Sequence, residues 1–402
     1  VLDDALAPLR NYLARAEHLV IGLMTGTSAD AVDAILVRFR GVGMDAAHEV
    51  LAYRESELDG ALRSHVLELA GAARIEPETM MRVHAALGEC YAAAVLELLA
   101  SAGIDAAGIS AIGSHGQTIR HVPRAAGGGQ AFTLQIGSAA VLAERTGIAV
   151  VSDFRSRDTA AGGEGAPLVP LADWWLFRSG LESRVLLNLG GIANVTHLPQ
   201  GAGLDRVLAF DTGPCNAVLD ALAAAASGGR DRFDAGGALA AAGRAVPAIV
   251  EARLSDAFFA LAPPRSTGRE HFGAAYAERL LADCRAASRS PADAMATAVE
   301  IAAAAIEQAI RRFLIPRGGV ERVLASGGGI RNAALVRALE RRLDPIPVAT
   351  TQTVGIEPAA KEALAFALLA HMTLCGRAGN VPSATGAAHP TVLGSITPGA
   401  AP

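Results

Sequence analysis

Lysine is almost missing from this sequence: Lys361 is the one example among 402 residues. That scarcity excludes two large classes of phosphate-handling protein. A P-loop needs a lysine directly after glycine, whereas Lys361 follows Ala360 in a helical pattern. The strand lysine of the protein kinases has no counterpart either. Positive charge is carried by arginine, and the net charge of -5 gives no electrostatic reason to expect nucleic acid. Aromatic residues make up only 4% and are mostly absent from the arginine-rich stretches, so no base-stacking platform is expected. The four cysteines, Cys90, Cys215, Cys284 and Cys375, lie far apart and form no metal or redox spacing, which predicts reduced thiols and a cytoplasmic setting. The N-terminal "VLDDALAPLRNYLARAEH" is mixed in charge and has no apolar core, unlike a signal peptide. No apolar run approaches the roughly 20 residues of a membrane span, so a soluble protein with no membrane partner is expected.

What is present is 51% hydrophobic and 19% charged, ordinary for a globular protein of two to three domains. "HLVIGLM" and "VDAILVRF" read as strands, with the turn formers Gly26, Ser28 and Asp30 between them, and a third strand fits His48 to Tyr53. A helix is predicted from Met80 to Leu99, stopping at Gly103; then follow strand "ISAIGSHG", helix "GSAAVLAERTG" and strand "IAVVSDF". The second half repeats this order. "RVLLNLGG", "IANVTHL" and "RVLAFD" read as three strands. A helix over Pro291 to Phe313 has Ser290 as N-cap, Pro291 at its first position and Arg311 and Arg312 in its last turn. Strand "RVLASGGG", helix "RNAALVRALERRL", strand "IPVAT" and helix "PAAKEALAFALLAHMTL" complete it. The duplication predicts two mixed α/β domains around a central cleft. Their junction is expected in "SRDTAAGGEGAPLVPLAD": an extension over 1–17, one domain over 18–165 and another over 166–402.

Without a P-loop, phosphate must be held by backbone amides, hydroxyls, arginine or a metal. Three glycine loops offer this: "TGTSAD" after the first strand, "NLGGIANVT" at the matching place in the second half, and "SGGGIRN" before a helix. Each alone is an ordinary turn; their matched placement in both halves favours a phosphate clamp. His115 and His121 have no second cluster at ligand spacing, so a structural or substrate-lining role fits them better than metal binding.

These loops sit within a longer series: "GLMTGTSADAVD", "IGSHGQTIRHVP", "DFRSRDTAAGGEGAPLVP", "LNLGGIANVT", "FDTGPCNAVLDA", "STGREHFG", "SGGGIRNAAL" and "GNVPSATGA". In that order, over about residues 18 to 399, the sequence resembles the anhydro-N-acetylmuramic acid kinase family. The resemblance implies duplicated ribonuclease H-like domains, as in the actin-like ATPases. It implies ATP, Mg2+ and 1,6-anhydro-N-acetylmuramic acid as ligands, and a homodimer. The reaction implied is hydrolysis of the anhydro bond with phosphorylation of the 6-oxygen. ATP is then assigned to Gly26, Thr27, Ser28, Ala29, Asp30, Ala31, Val32 and Asp33, with Gly190, Gly191, Gly327, Gly328, Gly329 and Asn332 opposite. Asp30 would act on phosphate through the metal or its waters.

Asp211 in "AFDTGP" is implied as the base that activates water; read from the residues alone, it equally suits a turn or helix cap. Glu362 is also implied as catalytic, matching a glutamate that faces the site, with a solvated helix carboxylate as the plain alternative. Gln117 and Thr118 suit sugar hydroxyls or the amide. Arg157 and Asp158 suit the lactyl carboxylate and ring hydroxyls, or else form an exposed ion pair.

The chain leaves the family pattern at Thr25, Ala29, Ala31, Glu164, Asp173 (in "LADWW") and Cys215. Cys215 replaces a glycine and would be strained if that glycine has positive φ. Two rivals therefore stay open: a kinase for another saccharide, and a silent nucleotide- or sugar-binding regulator.

Overall fold

The hairpin expected around Gly26 is present in the computed structural model, which describes residues 11–124 and 128–399. Strand β1 (Glu17–Thr25) runs antiparallel to β2 (Ala31–Arg40), with Thr25 opposite Val32. Both strands are nearly continuous apolar runs because the sheet they start is covered on both faces. The first unit continues with β3 (Ala47–Glu57), β4 (Ala111–Ser114), β5 (Gln117–Val122), β6 (Phe132–Ile136) and β7 (Val150–Ser152). The second unit holds β8 (Arg184–Leu189), β9 (Ile192–Leu198), β10 (Leu208–Pro214), β11 (Arg322–Ser326) and β12 (Val348–Thr350); β13 (Ser395–Thr397) lies near the C-terminus.

Strand order carries the duplication. The first sheet reads β3-β2-β1-β4-β7 with β13 added beside β7, and the second reads β10-β9-β8-β11-β12. In each, the first three strands form an antiparallel meander, and the remaining two lie parallel to the first. This is the ribonuclease H-like arrangement, made twice. A short hairpin of β5 and β6 stands apart from the main sheets; "HGQTIRHV" alternates too weakly for it to have been read as a strand.

The expected domain boundaries need correction. One compact unit runs up to Trp175 and takes back the chain from Ala360 onwards; the other is Leu176–Ala359. The helix Lys361–Leu374 thus belongs to the first unit, and two glycines explain why. Gly22 in β1 and Gly113 in β4 are register partners. A Cβ at Gly22 would collide with the Ala363 carbonyl oxygen and lie 2.7 Å from the Ala367 nitrogen; one at Gly113 would collide with the Phe366 carbonyl oxygen. Their bare backbones let the helix lie directly on the sheet. Strand β13 then pairs with β7, with Ile396 opposite Val151. The expected N-terminal extension falls largely on residues 1–10, outside the described residues.

The helix Pro77–Ala102 is longer than expected and its best 18-residue window has a mean hydropathy of 1.4, so by length and composition it could span a membrane. Half of that window is buried in the unit, with Leu87, Tyr91, Val95 and Leu98 in the core beneath the sheet. In the second unit, Ser290 caps the helix Pro291–Ala309 in a capping box with Asp293, as expected.

Candidate functional site

In the first unit the β1–β2 turn is closed by Ala29 N–H donating to the Gly26 carbonyl at 3.0 Å. Ala29 is fully buried and has φ +50°, the left-handed region that costs a residue with a Cβ about 1–2 kcal/mol. Asp30 is exposed and accepts from Arg63 Nε at 2.9 Å. Asp33, three residues on, faces inward. Tyr53 Oη donates to it at 2.5 Å, and its carboxyl is pushed up to about 6, chiefly by burial, with Glu55 and Glu362 adding repulsion. Asp33 thus lies within electrostatic reach of Glu362, while Asp30 is paired with Arg63. Glu362 begins the helix laid on Gly22 and Gly113.

Lys361 beside it is buried and donates to Asp173 Oδ1 at 3.0 Å, both side chains no more than 5% exposed. The single lysine and the departing aspartate thus explain each other: they anchor the end of the helix that carries Glu362.

The SHGQT segment forms a polar recess in the same unit. His115 Nε2 accepts from Arg155 Nε at 3.1 Å and Nη2 at 2.9 Å, which puts the ring proton on Nδ1. Burial, with Arg155 beside it, holds the imidazole neutral, well below its ordinary pKa. Arg155 also donates to the Gly165 carbonyl at 2.8 Å; burial lowers its pKa to about 10, against the pull of Glu362 and Asp158. His115 Nδ1, Ser114 Oγ, Gln117 Oε1 and Gln135 Oε1 are buried without hydrogen-bond partners. Ser114, His115 and Gln135 line a cavity of about 290 Å³ with Gly116, Gly137 and Ser138. Buried polar atoms without partners are costly, so a polar ligand or water in this recess would satisfy them. Thr118 Oγ1 accepts from Gln135 Nε2 at 3.3 Å.

Arg157 is exposed. Asp158 is not available for sugar hydroxyls. It has no exposed surface, and its oxygens accept from the Gly165 N–H at 2.8 Å, Asn380 Nδ2 at 2.7 Å and Thr385 Oγ1 at 2.8 Å. It ties the 158–165 loop to the "GNVPSATGA" segment. Glu164 does similar work: it accepts from Arg124 Nε at 2.8 Å and Arg124 N–H at 3.0 Å, an ion pair that the glutamine usual in the family could not make.

The second unit offers its own set. Gly190 and Gly191 are the two-residue turn between β8 and β9, matching Gly26 in the first unit. The helix Asn216–Ser227 backs this turn: Asn216 and Ala217 N–H groups donate to the carbonyls of Gly190 at 3.1 Å and Gly191 at 3.0 Å. A Cβ at Gly191 would meet the Arg269 guanidinium at 3.6 Å, so an exposed arginine lies against the turn. Gly327 has φ +83° and no room for a side chain beside Leu189. Gly327, Gly328 and Gly329 thus fold over the β8 end. Asn332 Oδ1 accepts from Ala334 and Leu335 N–H at 3.1 Å each, capping the helix Ala333–Leu343.

Asp211 stands on β10 at a register shift between Asp211 and Gly213, a bulge that re-aims a side chain. Thr267 N–H donates to Asp211 Oδ2 at 2.8 Å. Arg265 and Asp211 also exchange main-chain contacts: Asp211 N–H donates to the Arg265 carbonyl at 3.1 Å, and Arg265 Nε to the Asp211 carbonyl at 3.0 Å. Burial pushes the carboxyl up to about 7, with Glu270 adding to it, while the Thr267 amide and Arg265 pull the other way. A half-buried carboxyl that titrates near neutrality is suited to general-base work. Cys215 carries no glycine penalty, since its φ is -147°.

Sequence reading missed Arg155, Arg265 and Arg269. The last two lie in or beside "STGREHFG", so the motif was visible and its individual roles were not. Among the described residues no cluster of three or more His, Cys, Asp or Glu could hold a metal alone.

A family model described as anhydro-N-acetylmuramic acid kinase matches residues 18–399. The chain is 42% identical to the anhydro-N-acetylmuramic acid kinase of Caldanaerobacter subterraneus subsp. tengcongensis, covering 95% of this chain and 98% of that one. It is 43% identical to the Salinibacter ruber protein of that name, covering 98% and 99%. With the Xanthomonas axonopodis pv. citri protein of that name the identity is 44%, over 94% and 98%.

Proposed function

The chain belongs to the anhydro-N-acetylmuramic acid kinase family, and on that premise we propose that it converts 1,6-anhydro-N-acetylmuramic acid, ATP and water into N-acetylmuramic acid 6-phosphate and ADP. The observation that carries the reading is Asp211: a carboxyl on a strand bulge, held by the Thr267 amide, with its pKa pushed up to about 7. Asp211 takes a proton from water as the water oxygen bonds to the anomeric carbon. The bond from that carbon to the 6-oxygen breaks, and the 6-oxygen bonds to the γ-phosphorus as the bridge to ADP opens. Phosphoryl capture replaces the acid that a glycosidase uses on its leaving oxygen, so one base suffices.

The amides and hydroxyls of Gly26, Thr27 and Ser28, the Gly190–Gly191 turn with Arg269, and the Gly327–Gly329 loop hold the phosphates. Ser114 Oγ, His115 Nδ1 and Gln117 Oε1 take polar groups of the sugar, and Arg157 its lactyl carboxylate. Asp33 and Glu362 fit a magnesium ion that is bound through one or two carboxylates and otherwise by phosphate and water; such an ion would neutralise phosphate charge. Four free thiols accord with a cytoplasmic enzyme, and the proposed assembly is a homodimer, which sedimentation velocity tests.

The test is incubation with ATP, magnesium and the anhydro sugar in heavy-oxygen water. ADP release with label at the anomeric carbon is expected, and both are lost in Asp211→Asn. ADP without label would exclude the coupled reaction.

A further inference from the structure

Beside Arg265 the second unit holds a cavity of about 470 Å³ that the reaction does not use. Its walls are apolar at Phe259, Ala305 and Phe313, and its polar groups are mostly cationic: Arg265, Arg311 and Arg312, with Glu307 and Gln308. The charges are not equivalent. Glu307 is fully engaged, accepting from Arg311 Nε at 2.9 Å and Arg342 Nη1 at 2.8 Å, and Arg311 also donates to the Arg342 carbonyl at 3.0 Å. Arg312 has no carboxylate partner among the described residues and lies with its guanidinium carbon 5.0 Å from the Phe313 ring centre.

Arg265 is the unusual member. It is 8% exposed and sits among three aromatic rings, Phe210, Phe258 and Phe313, at 4.7 to 5.4 Å. Its Nε serves the Asp211 carbonyl, and its Nη1 serves the carbonyls of Phe258, Phe259 and Leu261 at 2.9 to 3.1 Å. No protein acceptor takes Nη2 among the described residues. A buried cation needs acceptors and a counter-charge. Asp211 supplies charge to Arg265, and the guanidinium keeps an unused donor beside a cavity that Arg312, without a carboxylate partner among the described residues, also borders.

We propose that this cavity binds a small organic anion, a carboxylate or phosphate monoester on an apolar body, between Arg265 and Arg312. Its volume lies in the range of ligand sites, the guanidiniums supply charge-assisted hydrogen bonds, and the aromatic walls cover the apolar part. Because Arg265 also holds the Asp211 main chain, occupancy reaches the base. The charged groups around Asp211 are Arg265 and Glu270, with Arg312 acting on Arg265. An anion beside Arg265 cancels part of the positive charge near Asp211, so the base titrates at higher pH and turnover near neutrality falls. This coupling rests on the reading of Asp211 as base; the binding does not.

Calorimetric titration of the full chain with phenyl phosphate and with benzoate, and with benzyl alcohol as the neutral control, separates the two anion types. Saturable binding of at least one anion, absent for the alcohol and at least tenfold weaker in Arg312→Ala, is expected. No saturable binding, or equal affinity in Arg312→Ala, overturns the site. With the anion bound, the rising, acid-side limb of the pH–kcat profile should move to higher pH in the parent and stay in place in Arg312→Ala. An unmoved or downward limb overturns the coupling. Should the kinase assay itself fail, the calorimetry still decides the site.

Discussion

Replacing Asp211 by Asn should remove activity and stabilise the protein, in a way that depends on pH. The Asn carbonyl oxygen can still accept from Thr267 N–H, so the geometry survives. What disappears is an ionised carboxylate in a site that disfavours it. The carboxyl titrates at about 7 in the folded chain against an ordinary 3.8, so the folded state holds the proton more tightly than the unfolded one. Stability from this group is therefore present at acid pH and is lost as pH rises from about 4 through about 7. Each pKa unit corresponds to about 1.4 kcal/mol, which puts the full cost near ~4 kcal/mol. Residual solvent contact at this half-buried side chain lowers the expected figure to ~2 kcal/mol.

Thermal melts of the full chain at several pH values measure the effect. For a unit of this size ~2 kcal/mol corresponds to a rise in Tm of ~4–8 °C. Asp211→Asn should melt higher than the parent at pH 8.5, with the gain shrinking steadily toward pH 4. The parent's kcat should rise with pH through about 7, as the base loses its proton. A pH-independent gain would sink the argument that burial destabilises the charged form, and a loss at pH 8.5 would mean that the carboxylate is held by a partner stronger than Thr267 and Arg265.

Other substitutions test the supporting structure. Gly22→Ala drives a methyl into the Ala363 carbonyl and should cost about 1–3 kcal/mol, with activity falling further than stability because the helix carrying Glu362 is displaced; denaturant melts and turnover read the two. Asp173→Ala leaves Lys361 as a buried, unpaired cation and should cost about 3–5 kcal/mol by the same melts. Ala29→Val places a β-branched side chain at φ +50° in a fully buried site and should cost about 2 kcal/mol or more, whereas Ala29→Gly should hold or gain Tm. Glu164→Gln loses an ion pair that is a quarter exposed and should cost no more than about 1 kcal/mol.

The parts legible in the sequence are those whose signal is local. Apolar runs on either side of a glycine turn mark β1, β2, β8 and β9, and repetition of that pattern carries the duplication. The domain boundary failed because its cause is not local: the helix at Lys361 returns to the first sheet on account of two glycines some ninety residues apart from each other and hundreds from the helix. The same distance hid the meaning of Asp173, which looked like a departure until Lys361 lay against it. Asp158 and Asn332 are hard to interpret from sequence for the opposite reason. Both sit in sequences rich in ligand-binding residue types, but one is consumed by loop anchoring and the other by a helix cap, uses that residue type alone cannot distinguish from ligand binding.

Arg265 shows how the base and its surroundings are joined. An arginine at the centre of "PPRSTGRE" reads as a surface charge. In the fold it is buried among phenylalanines, with its own carbonyl and its Nε on either side of the Asp211 main chain. Removing it would do more than delete a charge, since the Asp211 carbonyl and three others would lose their donor in a buried site. The conservative exchange Arg265→Lys separates the two effects: lysine keeps the positive charge but cannot reach four carbonyls with one ammonium. If position matters most, Arg265→Lys should lower kcat sharply while the pH midpoint of its profile stays near 7. If charge matters most, Arg265→Lys should retain kcat, and Arg265→Gln should move the midpoint upward. The carbonyl contacts outnumber the single charge, so the first outcome is expected; retained kcat in Arg265→Lys would refute it.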